Sequence, residues 1–181
     1  MPVNEHSHLR PTYPQQVAKK ASGGTPATDA LSAAGVPFTL RPYDHDPRAT
    51  SYGLEAAEAL GFPPEQVFKT LVVDVATSGR PVLAVGVVPV SGQLDLKAVA
   101  AALGAKKAVM ADPAVASRSS GYVVGGISPI GQRTPLPTVV DASALLHETV
   151  LVSGGRRGLD VELSPHDLVA LTGATLAEIS R

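Results

Sequence analysis

Lys69 stands alone on an apolar run, Val67-Phe68-Lys69-Thr70-Leu71-Val72-Val73, where a charge is out of place. Such a lysine must reach water, find a partner or lose its proton, because a desolvated ammonium is costly. At the mouth of a strand it could bind a phosphate or a ribose hydroxyl, or polarise a carbonyl; it could equally snorkel into solvent. The second candidate is the stretch Gly121-Tyr122-Val123-Val124-Gly125-Gly126-Ile127-Ser128-Pro129-Ile130-Gly131, with four glycines beside an apolar run. Successive backbone N–H groups in such a loop can form a concave nest for an anion or a developing oxyanion. The same composition also suits a tight corner between buried strands.

Other reactive side chains make weaker cases. Tyr43-Asp44-His45-Asp46-Pro47 combines a phenol, an imidazole and two carboxylates, but consecutive side chains in a turn diverge and Asp-Pro is a turn starter. Ser128 and Ser153 lie among glycines, yet neither stands in the G-x-S-x-G elbow of a hydrolase. Asp160 follows Arg156-Arg157-Gly158, so a salt bridge to either arginine or a turn hydrogen bond competes with a substrate contact. Arg156, Arg157, Lys106 and Lys107 could touch phosphates or form a solvated surface. His6 and His8 lack a nearby third ligand, so no metal is expected. The glycine loop matches neither the Walker A nor the dinucleotide pattern, and no nucleotide cofactor is expected.

Composition narrows the class. The chain has 181 residues, 44% of them hydrophobic, which fits one domain with its own core. A formal net charge of −1 gives no global positive field for a nucleic acid. There is no cysteine, which removes disulfides, thiolate nucleophiles and zinc–thiolate sites. No apolar run reaches the roughly 18 residues of a membrane helix, and no signal-peptide core is evident. A soluble cytoplasmic protein without membrane contact is the expectation.

The elements that must hold these residues follow in order. Residues 1–24 are polar, with His6, His8, Pro11 and Pro14, and read as a flexible extension ahead of a single domain over 25–181. Thr25-Pro26 opens a helix whose apolar stripe is Ala27, Ala30, Leu31 and Ala34, stopped by Gly35. A strand over Phe38 and Leu40 precedes the Tyr43–Pro47 turn, and a helix over Tyr52–Leu60 ends at Gly61. Val67–Val75 reads as a strand covered on both faces, paired through Ser78-Gly79 with Val82–Val88. Asp95 and Asp112-Pro113 start two further helices. Strands are expected over Thr138–Val140, Thr149–Val152 and Leu159–Leu163, the last two joined by a glycine-rich tip, Ser153 to Gly158. Ser164-Pro165 opens a final helix to Gly173, and Leu176–Ile179 reads as an edge strand. The mixture points to an α+β domain with a curved or barrel-like sheet flanked by helices.

Taken together, Tyr43-Asp44-His45-Asp46-Pro47, Val67-Phe68-Lys69-Thr70-Leu71, Gly92-Gln93-Leu94-Asp95, Leu103-Gly104-Ala105-Lys106-Lys107, Ala111-Asp112-Pro113, Gly121–Gly131 and Ser153–Glu162 resemble, in this order, the YbaK/EbsC family. These are Cys-tRNA(Pro) deacylases, relatives of the editing domain inserted in bacterial prolyl-tRNA synthetases. The resemblance runs from Thr25 to the C-terminus. It implies a trans-editing hydrolase that clears tRNA(Pro) mischarged with cysteine, working alongside prolyl-tRNA synthetase and without a cofactor. It further implies that Lys69 holds the tRNA 3′ end and that the Gly125 backbone polarises the scissile carbonyl. Tyr43, Tyr52, Thr70, Gly126, Ser153 and Asp160 would line the aminoacyl-adenosine pocket. In the family the substrate's own thiol is thought to attack the ester, which suits a chain without cysteine. The alternatives are a deacylase for another mischarged product such as Ala-tRNA(Pro), and a non-catalytic module that only binds an aminoacyl-tRNA end or a nucleotide.

Overall fold

The computed structural model describes residues 24–181. The polar extension read over residues 1–24 therefore lies, but for Gly24, outside the described residues.

Helices begin where side chains can satisfy their free N–H groups. Helix α1 (Pro26–Ala33) is closed by a reciprocal pair: the Thr28 N–H donates to the Thr25 hydroxyl at 3.2 Å, and the Thr25 N–H to the Thr28 hydroxyl at 2.9 Å. Such a cap contributes about 1 kcal/mol. Ala27 and Leu31 on its inner face are fully buried. Asp95 caps α3 (Leu96–Ala102), Asp112 caps α4 (Pro113–Ser120) and Ser164 caps α5 (Pro165–Thr172). Helix α2 (Tyr52–Leu60) is different, because Ser51 makes no capping hydrogen bond.

Among the described residues, eight strands form two open sheets. Strands β1 (Phe38–Pro42), β7 (Leu159–Leu163) and β6 (Val150–Arg156) make an antiparallel sheet in that order. The second sheet runs β4 (Val109–Met110), β2 (Phe68–Asp74), β3 (Leu83–Pro89), β5 (Thr138–Asp141), β8 (Thr175–Ala177), with β5 parallel to both its neighbours. A single bridge, Val67 to Leu151, joins the start of β2 to β6. The expected α+β class with helices flanking the sheets holds, but among the described residues neither sheet closes on itself, so they form no barrel. After Leu151, β6 pairs only with β7, and the two sheets part there.

Three apolar clusters fix the layers. Helices α1 and α5 pack through Leu31 and Leu168 onto Phe68, Val85, Val87, Val140, Val152 and Val161. Helix α3 covers Val73, Val88 and Val139 through Val99 and Ala100. Ala56 and Ala57 of α2 sit on Val67, Val90 and Leu151, at the junction of the sheets.

Two segments differ from the sequence reading. The glycine-rich tip is shorter than expected, because β6 continues to Arg156 and leaves only Arg157-Gly158 as the turn. The register between β6 and β7 slips between Ser153 and Arg156. A bulge needs the same glycines as a turn, and Gly155, at φ +101°, provides it. Strand β2 is also not covered on both faces: Lys69, Thr70 and Leu71 are half-buried, because a cavity opens beside them.

Candidate functional site

The cavity lies where the two sheets part and measures about 330 Å3. Strand β2 supplies Lys69 and Thr70, β6 supplies Ser153, and β7 supplies Asp160, which sits directly opposite Ser153 in the register. Tyr43 follows β1, and its N–H donates to the Gly158 carbonyl at 2.9 Å, tying that wall to the β6–β7 turn. The first turn of α2 supplies Tyr52 and Gly53. A Cβ on Gly53 would lie 2.3 Å from the Val90 side chain, so this glycine lets the helix start close against the strands. Met110, Ala111, Pro113 and Ala116, from β4, α4 and the link between them, form an apolar wall with Val124 and Ile127.

Gly125 is held in a conformation open to glycine. Its φ is +85°, and a Cβ there would lie 2.8 Å from the Tyr52 ring. The Gly125 N–H makes no hydrogen bond among the described residues, whereas the Gly126 N–H donates to the Val123 carbonyl at 2.9 Å. A nest built on both amides is therefore not available; the free donor is that of Gly125. Gly126 does not line the cavity. A Cβ on it would lie 2.8 Å from the Arg156 backbone, so its smallness serves packing against the hairpin turn.

The electrostatics are set by burial. Lys69 is half-buried, forms no ion pair among the described residues, and desolvation pulls its pKa below the usual lysine range. Burial pushes the Asp160 carboxyl up to about 7. The salt bridge to Arg156 or Arg157 weighed from sequence does not form; Asp160 is buried and has no ion pair among the described residues. Burial, and then the Asp160 charge, raise the Tyr43 phenol to about 12, so it stays protonated. The Thr70 hydroxyl is buried and has no hydrogen-bond partner among the described residues. A polar atom left so costs free energy.

The serines and the histidine are otherwise engaged. Ser128 is fully buried and its Oγ accepts from the Ile130 N–H at 3.2 Å. The Ser153 Oγ accepts from the Gly155 N–H at 3.2 Å, supporting the bulge. His45 lies outside the cavity lining, with Nδ1 2.9 Å from Glu55 and its ring 5.7 Å from that of Tyr52. Among the described residues no cluster of histidine and carboxylate side chains is arranged to hold a metal.

Of the eight positions that the family resemblance assigns to the site, Tyr43, Tyr52, Lys69, Thr70, Gly125, Ser153 and Asp160 surround this one cavity, and Gly126 stands behind it. Sequence reasoning passed over Gly53 and the β4–α4 wall. A glycine in the first turn of an amphipathic helix was the available signal for the former. Nothing in the spacing marked Met110 or Ala116.

Residues 45–171 match the family model for the aminoacyl-tRNA editing domain. The chain belongs to this family. Among editing-domain relatives, a protein of Enterococcus faecalis named "Putative Cys-tRNA(Pro)/Cys-tRNA(Cys) deacylase EbsC" is 40% identical over 124 residues, covering 68% of this chain and 74% of its own. The structure described as "a putative trans-editing enzyme for prolyl tRNA synthetase" superposes with a TM-score of 0.73 at 28% identity, over 86% of this chain and 95% of that one. A hypothetical protein of known structure gives a TM-score of 0.75 at 28% identity, over 86% and 99%. The editing-domain match includes all the cavity positions above except Tyr43, which lies just before it.

Proposed function

We propose that this chain is a trans-editing deacylase that hydrolyses mischarged Cys-tRNA(Pro) in the cavity between the sheets. The observation that carries the reading is the cavity itself, lined by Lys69, Gly125 and Asp160, in a chain that matches the aminoacyl-tRNA editing domain. The name borne by the E. faecalis relative supports the choice of substrate.

The chemistry follows from what the cavity offers. The chain has no cysteine; Ser128 does not line the cavity, and Ser153, which does, has no base hydrogen-bonded to its hydroxyl among the described residues. The substrate's own thiol is the nucleophile that this site does not need to provide. Its sulfur attacks the ester carbonyl carbon, the C–S bond forms, and the C–O bond to the ribose breaks. The thiol proton ends on the departing ribose oxygen, and the amino acid leaves as a cyclic thiolactone, which water then opens. Attack within one molecule at good geometry gains roughly 7–11 kcal/mol from proximity. The protein's share is orientation and charge. The Gly125 N–H faces the oxygen on which negative charge develops, and Lys69 holds the tRNA 3′ end. Asp160, titrating near neutrality, receives the substrate's amino group, and Tyr43, Thr70 and Ser153 complete the wall.

With a net charge of −1, the chain is poorly equipped to hold tRNA by itself. Prolyl-tRNA synthetase is the partner that supplies most of the tRNA contact, and tRNA(Pro) selectivity is lost without it. Among the described residues no helix is long and apolar enough to cross a membrane.

The test is deacylation of Cys-tRNA(Pro), Ala-tRNA(Pro) and Pro-tRNA(Pro), with and without the synthetase, beside Cys-tRNA(Pro) whose thiol is methylated. Rapid loss of the cysteinyl ester alone is expected, and methylation should slow it at least about 100-fold. Equal rates for the free and blocked thiol would reject the substrate-thiol mechanism. Preferential loss of the alanyl ester would reassign the substrate, and saturable binding without turnover would make the chain a binding module.

A further inference from the structure

The middle of the glycine loop is thinly anchored to the rest of the fold. Its ends are fixed: the Tyr122 hydroxyl donates to the Ile130 carbonyl at 2.7 Å, and Gly131 lies tight against the Pro26 backbone. Between them Val123 and Val124 are 56% and 40% exposed, too much for packing to hold them. Among the described residues, one hydrogen bond ties Val123–Gly126 to another element: the Arg157 Nε donates to the Val124 carbonyl at 2.9 Å. The same guanidinium lies over the Tyr52 ring, 5.2 Å from its centre, and that ring is what Gly125 faces at close range.

The post from which Arg157 reaches is rigid. It occupies the two-residue turn Arg157-Gly158, where Arg156 pairs with Leu159. Gly158, at φ +79°, lies against the Tyr43 carbonyl and accepts its N–H. Gly126 packs on the Arg156–Arg157 backbone from the other side. One planar side chain therefore joins a fixed hairpin, the ring of Tyr52 and the loop that carries the Gly125 amide.

Resting on the deacylase reading, we propose that Arg157 is a positioning residue that latches Val123–Gly126 and Tyr52 together, and so sets the Gly125 amide for the reaction. A planar guanidinium donates along Nε while its face stacks on a ring; an ammonium has no planar face and meets a ring only as a point charge. Arg156, the last residue of β6 beside the turn and also exposed, makes no side-chain hydrogen bond or ion pair among the described residues and serves as the control. A phosphate contact, the other role open to an exposed arginine, would act through charge and appear in KM.

The experiment compares Arg157→Ala, Arg157→Lys and Arg156→Ala in the full chain. Two measurements are made: Cys-tRNA(Pro) deacylation kinetics, and amide hydrogen exchange of the segment 121–131. Both Arg157 variants should lose about tenfold in kcat with KM within about twofold, and exchange in Val123–Gly126 about fivefold faster. Arg156→Ala should match the unmodified chain in both. Full activity in Arg157→Lys, a change confined to KM, or unaltered exchange would each overturn the latch. If the unmodified chain does not deacylate Cys-tRNA(Pro) at all, the deacylase reading fails, and the exchange comparison still decides whether Arg157 holds the loop.

Discussion

Asp160→Asn tests the electrostatics of the cavity without touching its shape. In the folded chain the Asp160 carboxyl titrates at about 7 instead of 3.8, because burial disfavours its charge. Between those values the folded state holds a proton that the unfolded state has released, so the contribution of Asp160 to stability is fully present below about pH 4 and is lost as pH rises through about 7. A shift of about three units corresponds to about 4 kcal/mol at about 1.4 kcal/mol per unit, of which about 3 kcal/mol falls between about pH 5 and pH 8. Asparagine keeps the size of the protonated acid and does not ionise. The stability of Asp160→Asn minus that of the unmodified chain should therefore grow by about 3 kcal/mol across that window. For a chain of this length the difference in Tm should widen by about 6–12 °C. Urea unfolding at the two pH values measures it directly. Parallel pH profiles for the two proteins would refute the reasoning, since they would mean that the carboxyl ionises as freely inside the cavity as in the unfolded chain.

The other expectations concern the walls of the same cavity. Lys69→Ala should abolish Cys-tRNA(Pro) deacylation while the protein remains folded; near-normal turnover would remove Lys69 from the reaction. Desolvation lowers the pKa of Lys69, so a rate that depends on its charge should fall with rising pH before an ordinary lysine would titrate. Gly125→Ala must place a Cβ at φ +85° and 2.8 Å from the Tyr52 ring. Deacylation should drop at least about 100-fold, with about 1–2 kcal/mol of stability lost in denaturant melts. Ser128→Ala should cost about 1 kcal/mol through the lost hydrogen bond to the Ile130 amide, leaving kcat within about twofold. A large loss of kcat there would reopen the question of a serine nucleophile.

Local sequence was enough to locate most elements, because the signals that end them are local. Thr25, Asp95, Asp112 and Ser164 each cap a helix through their own side chains, and Gly61 and Gly173 close helices at positive φ. The family, too, was legible, since its motifs lie in order along the chain. The glycines of Ser153–Gly158 misled because a bulge and a turn ask the same freedom of the backbone. Only the position of β7 against β6 decides between them.

Tertiary structure alone decided what these motifs share. That Lys69 and Asp160, 91 residues apart in sequence, border one cavity depends on where the two sheets part after Leu151. That Asp160 is buried without an arginine, although two lie just before it, depends on which way the turn carries Arg156 and Arg157. Arg157 instead spans to Val124 and Tyr52, a contact set by the stacking of three elements and written in no spacing. Sequence determines which backbone conformations each residue accepts. Packing between distant elements determines which charges lose their water, and the site's chemistry follows from that loss.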